Sequence, residues 1–287
     1  MVETSFDFVD MKEEFVGRIE TLTRFCSWSV LMGSDSTWAG VLSKLVARQV
    51  QVGTVIVSCS SICADKLLGF ATIIPLSRAP SIMLQQLHDL CSQQQSANTA
   101  TDNRLTELLH LITAANQPAK TEGEPNESKT YGIVVHGREP HIPRQLVPPL
   151  HQVLHEDLKW ASEQPADEDA AAAEGELPEA SFKFDFLLLV STFSSAAVGA
   201  ADKIAPSEQD EAPNAKKRKL WSADWAYYLE RIEDGFYHKH AEWSCLVGPM
   251  PGEQKDNASP NTASFVVSCI QVNKLEGIVA ELNTVLQ

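Results

Sequence analysis

The sequence predicts an α/β fold of the α+β type, in which helices flank a mixed β-sheet. Short runs rich in β-branched residues alternate along the chain with segments whose apolar residues recur at helical spacing. The 287 residues are 44% hydrophobic, so the chain can bury a sizeable core. Because no internal repeat is visible, we expect one domain over residues 1–287 rather than a solenoid or a propeller.

The individual elements follow from periodicity and from the turn residues that flank them. Apolar runs bounded by Gly, Ser or Pro predict strands at residues 5–9, 52–58, 68–76, 131–137, 181–193, 241–247 and 264–272. Apolar residues three or four apart predict helices near residues 15–25, 38–47, 81–91, 104–115, 149–161, 225–237 and 275–286. The last helix is amphipathic, with one apolar face formed by Leu275, Ile278, Val279, Leu282 and Leu286.

Three polar segments interrupt this pattern. Residues 116–129 are rich in polar and helix-breaking residues, which makes them a surface loop and a candidate boundary between two lobes. Residues 162–180 form an acidic, low-complexity insertion, and residues 202–219 form a second polar loop. Because neither has an apolar pattern to bury, we expect both to be disordered insertions.

The chain is acidic, with 38 Asp and Glu against 23 Lys and Arg and a formal net charge of -15. Such a molecule repels phosphate backbones and anionic lipids, so we expect no direct binding to nucleic acid or to membranes. Basic proteins are the partners that this charge favours, although the acidity could also serve only solubility. The first residues lack a secretory signal, and the apolar stretch at 186–201 is too short and too polar to span a membrane.

Two charged runs have a possible function. A dense basic run predicts a nuclear import signal and hence a nuclear location; it consists of Lys216, Lys217, Arg218 and Lys219. The alternative is a solvated cluster that balances its acidic flank. The acidic insertion could screen a basic client, or it could be a tolerated loop. Its candidate client-binding residues are Asp167, Glu168, Asp169, Glu174, Glu176 and Glu179.

Motifs for catalysis and for cofactor binding are absent from the sequence. Neither glycine-rich phosphate loop occurs, and no G-x-S-x-G nucleophile elbow is present. The six cysteines show no metal-binding framework, so we expect reduced thiols. The sequence therefore predicts no catalytic residue, no cofactor and no metal.

The segment PHIPRQLVPPLHQVLHEDLKWA, at residues 140–161, combines prolines and histidines at the start of a helix. His151 and His155 lie four apart, a spacing that can bind zinc, but H-Q-V-L-H-E lacks the glutamate position of the known zinc-protease helices. An apolar stripe through Leu150 and Leu154 places both histidines at its margin, so we expect structural roles. We also expect Pro149 to be the first helical residue, after an extended Val147 and Pro148 and a stiff Pro143.

This segment, with the later run FKFDFLLLVSTF, resembles the BCCIP family. The matching residues are Ile142, Pro143, Val147, Pro148, Pro149, Leu150, His151, Trp160, Ala161, Phe182, Lys183, Phe184 and Asp185. The opening FDFVDMKEEFVGRIETL and the paired strands LVARQVQVGTVIVS and LGFATIIPL agree more loosely, so the resemblance covers nearly the whole chain. Within it, the motif residues are either structural or client-binding.

The resemblance implies a fold similar to the acetyltransferases related to GCN-type enzymes, without an assigned acetyltransferase activity. Their pyrophosphate-binding pattern, [QR]-x-x-G-x-[GA], does not occur here. The family implies a non-enzymatic nuclear chaperone or adaptor that binds a basic large-subunit ribosomal protein, contacts nuclear transport receptors, and supports nuclear export and protein transport. The alternative function is a divergent acyltransferase that uses acyl-CoA.

Overall fold

The structure is a computed structural model. It describes residues 5–28, 40, 52–59, 66–97, 103–115, 129–164, 182–192, 229, 231–247 and 265–286. The helix predicted near residues 38–47 lies outside these ranges except for Gly40, and so do the second polar loop and most of the acidic insertion.

Within these described ranges, seven strands form one mixed sheet, which confirms the predicted fold class. They are β1 (Phe6–Asp10), β2 (Gly53–Ser58), β3 (Lys66–Pro75), β4 (Tyr131–Arg138), β5 (Phe186–Thr192), β6 (Trp243–Val247) and β7 (Phe265–Gln271). Their order across the sheet is β1-β2-β3-β4-β5-β7-β6. Neighbouring strands are antiparallel except β4 and β5, which are parallel. The sheet thus joins strands from both sides of residues 116–129.

Six α-helices of the described chain carry the side chains that cover this sheet. They are α1 (Val16–Thr23), α2 (Ser81–Ala97), α3 (Asn103–Ala115), α4 (Val147–Glu163), α5 (Ile232–Lys239) and α6 (Leu275–Leu286). Short 3-10 turns precede some of them, at Glu13–Phe15, Arg144–Leu146 and Val272–Lys274, and another follows β3 at Leu76–Arg78. All five residues predicted for the apolar face of α6 are buried, which confirms that pattern.

The helices divide between the two faces of the sheet and create two cores. One face is covered by α1, α2 and α3, whose buried side chains include Ile19, Leu22, Met83, Leu87, Leu108 and Ile112. The other is covered by α4, α5 and α6, whose buried side chains include Leu150, Leu154, Leu158, Tyr237, Ile278 and Leu282. Because both faces are covered, the central strands β3, β4 and β5 are buried at consecutive positions rather than at alternate ones. β2 is buried at every position.

Helix α4 begins earlier than its prolines predicted. Val147 is helical, with φ -69° and ψ -50°, and Pro148 follows within the first turn. The predicted extended conformation of these two residues was therefore wrong. The first helical turn has amide groups without intrahelical partners, so prolines there remove no hydrogen bond. Pro143 is extended, with φ -54° and ψ 130°, as expected before a 3-10 turn that leads into the helix.

Strand β5 begins later than predicted, at Phe186. The alternation from Phe182 to Phe184 is not part of the strand, because a local hydrogen-bond network holds that segment. The Asp185 carboxylate accepts hydrogen bonds from the amide and the hydroxyl of Thr130, at 2.7 and 3.0 Å. Phe182 is nevertheless buried, and its ring meets that of Phe184 edge on at 6.1 Å. The alternating pattern came from packing in a loop rather than from a strand.

Strands β4 and β5 diverge before they end, and this divergence positions the polar site. Their pairing runs from Tyr131 and Phe186 to Val134 and Leu189, although both strands continue beyond it. In the notch between them, the carbonyl oxygen of His136 accepts a hydrogen bond from Arg231 Nη1 at 3.1 Å. A side chain from the segment that leads into α5 thus takes the place of a neighbouring strand.

Candidate functional site

A buried charged cluster fills the notch between β4 and β5. It joins β4 and α4 to the start of α5, and its members are His136, Arg138, His151, Arg231, Glu233, Asp234 and Tyr237. Arg138 is 13% exposed, and every other member is nearly or fully buried. Groups of this kind are costly to bury unless they are paired, so the pairing within the cluster decides what it can do.

Arg138 and Glu233 form the strongest contact of the cluster. The guanidinium donates through Nε to Glu233 Oε1 at 2.8 Å and through Nη2 to Oε2 at 3.1 Å. Burial alone would raise the pKa of Glu233, but the hydrogen bonds and charge of Arg138, with smaller contributions from His136 and Arg231, lower it to about 2. Glu233 is therefore an anion that is held in place by a two-bond arginine contact.

His136 lies between a cation and an anion. Arg231 Nη1 is 3.3 Å from His136 Nδ1, and His136 Nε2 is 2.9 Å from Asp234 Oδ1. Arginine can only donate, so a hydrogen bond from Arg231 needs the lone pair of His136 Nδ1. Neither Asp234 oxygen has a hydrogen-bond partner among the described residues, so His136 and Asp234 lie in close contact without a hydrogen bond. The formal charges of the two arginines and the two carboxylates cancel.

His151 connects α4 to the cluster. Its Nδ1 lies 2.8 Å from the Tyr237 hydroxyl, and its ring meets that of His136 edge on at 5.4 Å. Burial, reinforced by His136, lowers the pKa of His151 to about 3, so the imidazole is neutral. The expectation that His151 lies at the margin of the apolar stripe was wrong, because α5 covers it; it is only 1% exposed. His155 is half-buried.

Three members of the cluster have the spacing of metal ligands. One ligand atom from each of His136, His151 and Glu233 lies within 4.8 Å of the others, and His155 is not part of this set. However, both Glu233 oxygens already accept hydrogen bonds from Arg138. His136 Nδ1 is already in contact with Arg231 Nη1, at 3.3 Å. Two fixed positive charges beside these ligands oppose a further cation. The arrangement is explained by ion pairing without a metal.

The chemistry of the charged cluster is that of a structural polar core. Burial raises the pKa of the Tyr237 phenol far above its ordinary value, with further increases from Asp234 and Glu233, so it stays protonated. The charged side chains are almost closed to solvent, although the two Asp234 oxygens have no hydrogen-bond partner among the described residues. No cluster member is a serine, cysteine or threonine nucleophile. The cluster ties α5 to the notch and shows no group that is poised to react with a substrate.

Comparison with known proteins decides the family. A family model described as BCCIP matches residues 1–240. The chain belongs to the BCCIP family. The crystal structure of BCP1 from Saccharomyces cerevisiae is similar, with 16% sequence identity and a TM-score of 0.51 over 99% of this chain and 90% of that one. At this identity the likeness shows the fold alone. No curated protein matches the chain significantly by sequence.

The BCCIP motif residues separate into a buried and an exposed group. Most are buried: Ile142, Val147, Pro148, Leu150, His151, Ala161 and Phe182. Pro149 and Phe184 are half-buried, whereas the exposed ones are Pro143, Trp160, Lys183 and Asp185. The buried motif residues have a structural role, because they pack in the core. Burial does not explain Trp160, a large aromatic side chain that is 54% exposed.

Several predicted site residues of this BCCIP-family chain lie outside the described residues. They are the four cations Lys216, Lys217, Arg218 and Lys219, and the six acids Asp167, Glu168, Asp169, Glu174, Glu176 and Glu179. Their roles stay predictions. Within the described ranges, no helix has the length and apolarity needed to cross a membrane. Among the described residues, no disulfide joins Cys26, Cys59, Cys91, Cys245 or Cys269 to another of them.

The charged cluster was not predicted from the sequence. Glu233 and Asp234 follow Ile232 in a pattern that is typical of a solvated helix start, yet both are fully buried. The one available indication was His136, a polar residue inside the apolar strand YGIVVHG. Its partners are far away in sequence, and only the fold brings them together.

Proposed function

We propose that this protein is a non-enzymatic nuclear chaperone or adaptor that binds a basic protein client. The observation that carries the proposal is the location of its charge. The formal net charge is -15, while the formal charges of the two arginines and the two carboxylates of the buried cluster cancel. The excess of negative charge therefore belongs to the rest of the molecule, where it can attract cationic surfaces over a distance of about 10 Å at moderate salt.

Among basic proteins, a large-subunit ribosomal protein is the client class that the resemblance to the BCCIP family implies. Such proteins carry cationic surfaces that bind ribosomal RNA, and these surfaces need an acidic partner until assembly. Membership of the BCCIP family supports this class of client. The basic run at 216–219 would supply nuclear import, contacts with transport receptors would support export, and the acidic insertion would add negative charge around the client.

The acyltransferase alternative has less support. An acyl-CoA ligand needs an accessible site for its pyrophosphate, and the divergence of β4 and β5 is a natural place for one in a parallel pair. Arg231, Glu233 and Asp234 fill that notch and are paired with β4 side chains. A thermal-shift titration with acetyl-CoA tests the alternative, since a dose-dependent stabilisation would restore it.

Client binding is tested by recovery and by solubility. The tagged full chain is incubated in nuclear extract, and a purified basic ribosomal protein is separately kept at low salt with or without the chain. We expect the chain to recover basic ribosomal proteins, to keep the purified one in the supernatant, and to lose both effects as salt is raised. Recovery of no basic ribosomal protein, with no change in solubility, would overturn the proposal.

A further inference from the structure

The outward face of α4 carries an exposed indole. Trp160 is 54% exposed, in contrast to Trp28, which is 1% exposed in the core. Within the described chain only three large hydrophobic side chains are exposed, and the other two are Ile232 and Val285. Tryptophan is the residue type most often found as an energetic anchor of protein interfaces. An indole left in solvent on a regular helix is thus a candidate contact for a partner.

Carboxylates surround Trp160 on the same helix. Glu156 lies four residues before it and Glu163 three after it, so both side chains lie one turn away on the same side of the helix. Both are exposed. Asp157, three residues before Trp160, adds a half-buried carboxylate. Lys159 is the one Lys or Arg between residues 153 and 163. The indole is therefore set in a locally negative surface.

A strand of the sheet extends this negative surface. Asp10, at the exposed end of β1, lies opposite Thr54 of β2, and the Thr54 hydroxyl donates to Asp157 Oδ2 at 3.0 Å. The pKa of Asp157 is raised, first by burial and also by the nearby charges of Asp10 and Glu156. No ion pair to another described residue neutralises Asp10, Glu156, Asp157 or Glu163.

We propose that the Trp160 face, formed by Asp10, Glu156, Asp157, Trp160 and Glu163, is the docking surface for a Lys- and Arg-rich segment of a basic protein. The indole offers its ring to a guanidinium or an ammonium group, and the carboxylates around it accept the neighbouring cationic side chains. This inference rests on the proposed function, because it names the surface through which that function would be performed.

The charge of the Trp160 face selects this partner over the others. An acidic or phosphorylated segment would be repelled by the four carboxylates, and a purely apolar one would leave them desolvated and unpaired. The other exposed apolar side chains, Ile232 and Val285, line a groove of about 1080 Å³. Arg104 and Arg144 also line that groove, and its Glu281 already pairs with Lys239.

The groove and the Trp160 face are separate surfaces. Arg144, just before α4, lines the groove together with the last part of α6. Trp160 lies in the final turn of α4, about 20 Å along the helix axis from Val147. Substitutions in the groove therefore serve as controls for substitutions on the Trp160 face.

The test measures how the full chain binds a synthetic peptide in which Lys and Arg alternate with Gly. Titration calorimetry at low salt compares the wild type with Trp160→Ala and with the double variant Glu156→Gln/Glu163→Gln. We expect Trp160→Ala to weaken binding about tenfold or more, as for an anchor residue. The double variant should weaken binding and reduce its dependence on salt, because two attracting charges are removed.

Matched controls separate the Trp160 face from the chain as a whole. Glu20→Gln removes an exposed carboxylate from α1, on the opposite side of the sheet, and Val285→Ser removes an exposed apolar side chain from the groove. Both should bind the peptide like the wild type. Urea unfolding of each variant checks that a loss of binding is not a loss of folding.

The outcomes distinguish the surface from the function. If the wild type binds the peptide and Trp160→Ala binds it equally well, the Trp160 face is the wrong surface while the proposed function stands. If the wild type binds neither the peptide nor a basic ribosomal protein, the proposed function itself fails. Equal weakening by Glu20→Gln and by the double variant would also overturn the proposal, since diffuse charge rather than this face would then attract the peptide.

Discussion

Helix α4 contacts two regions that use charge in opposite ways. On its inner side, His151 meets a cluster in which two arginines and two carboxylates compensate one another and solvent is excluded. On its outer side, Glu156 and Glu163 flank an exposed Trp160 without a compensating ion pair in the described chain. Compensated charge fixes an internal contact, whereas uncompensated charge remains available to a partner. The same motif therefore holds the fold on one side and offers a surface on the other.

Removing one charge from the buried cluster should have the largest effect on stability. Glu233→Ala leaves Arg138 buried beside an empty space, and we expect the free energy of unfolding to fall by about 3–5 kcal/mol. The measurement is urea unfolding. The matched control is Glu281→Ala, which removes a carboxylate paired with Lys239 at the surface and should cost less than about 1 kcal/mol. Equal losses in the two variants would mean that the buried cluster does not stabilise the fold.

The two sides of α4 can be compared within one helix. Leu158 is 2% exposed, so Leu158→Ala creates a cavity and should lower the free energy of unfolding by about 2–5 kcal/mol. Trp160→Ala, two residues away, should change it by no more than about 0.5 kcal/mol, since an exposed side chain loses little packing. Thermal or urea unfolding measures both. A large loss from Trp160→Ala would make the indole part of the core rather than of a surface.

The buried His151 should make the stability of the fold depend on pH. Burial lowers the pKa of His151 in the folded chain to about 3, from an ordinary 6.5. Between about pH 6.5 and pH 3, the imidazole is therefore protonated in the unfolded chain but neutral in the folded chain. Stability from this group is fully present above pH 6.5 and is lost as the pH falls toward 3, at about 1.4 kcal/mol per pH unit.

The pH effect is measured as a difference in slope between variants. The free energy of unfolding is followed from pH 7 to pH 5 in the wild type, in His151→Leu and in His110→Leu, which replaces an exposed histidine of α3. His151→Leu should lower stability at pH 7, because the Tyr237 hydroxyl loses its partner, but its profile toward pH 5 should be flatter. If the free energy of unfolding of His151→Leu depends on pH as steeply as that of the wild type, the His151 imidazole is not buried in its neutral form.

Local periodicity predicted most of the fold because it reflects local physics. The β-branched run of β2 and the apolar face of α6 both predicted buried residues correctly. Such patterns can be recognised without knowing which elements pack against them. The errors arose where a nearby contact overruled the pattern. Thr130 and Asp185 hold Phe182 and Phe184 in a loop although they alternate like a strand.

The polar sites could not be predicted in the same way. Arg138 and Glu233 are 95 residues apart in sequence, and nothing local shows that a helix start rich in acids will insert between two strands. His151 could be placed on α4 by spacing, but α5 rather than α4 determines its burial. The exposure of Trp160 was consistent with its position outside the apolar stripe. Its negative surroundings needed the fold, since Asp10 comes from the first strand.

The most direct test asks whether the outer side of α4 binds a client while its inner side stabilises the fold. Binding of a purified basic large-subunit ribosomal protein is measured for the wild type and for the triple variant Glu156→Gln/Trp160→Ala/Glu163→Gln, with the urea midpoint of each. We predict that the triple variant binds at least about tenfold more weakly while its midpoint stays close to that of the wild type. Unchanged affinity in a fully folded triple variant would mean that the Trp160 face does not bind the client.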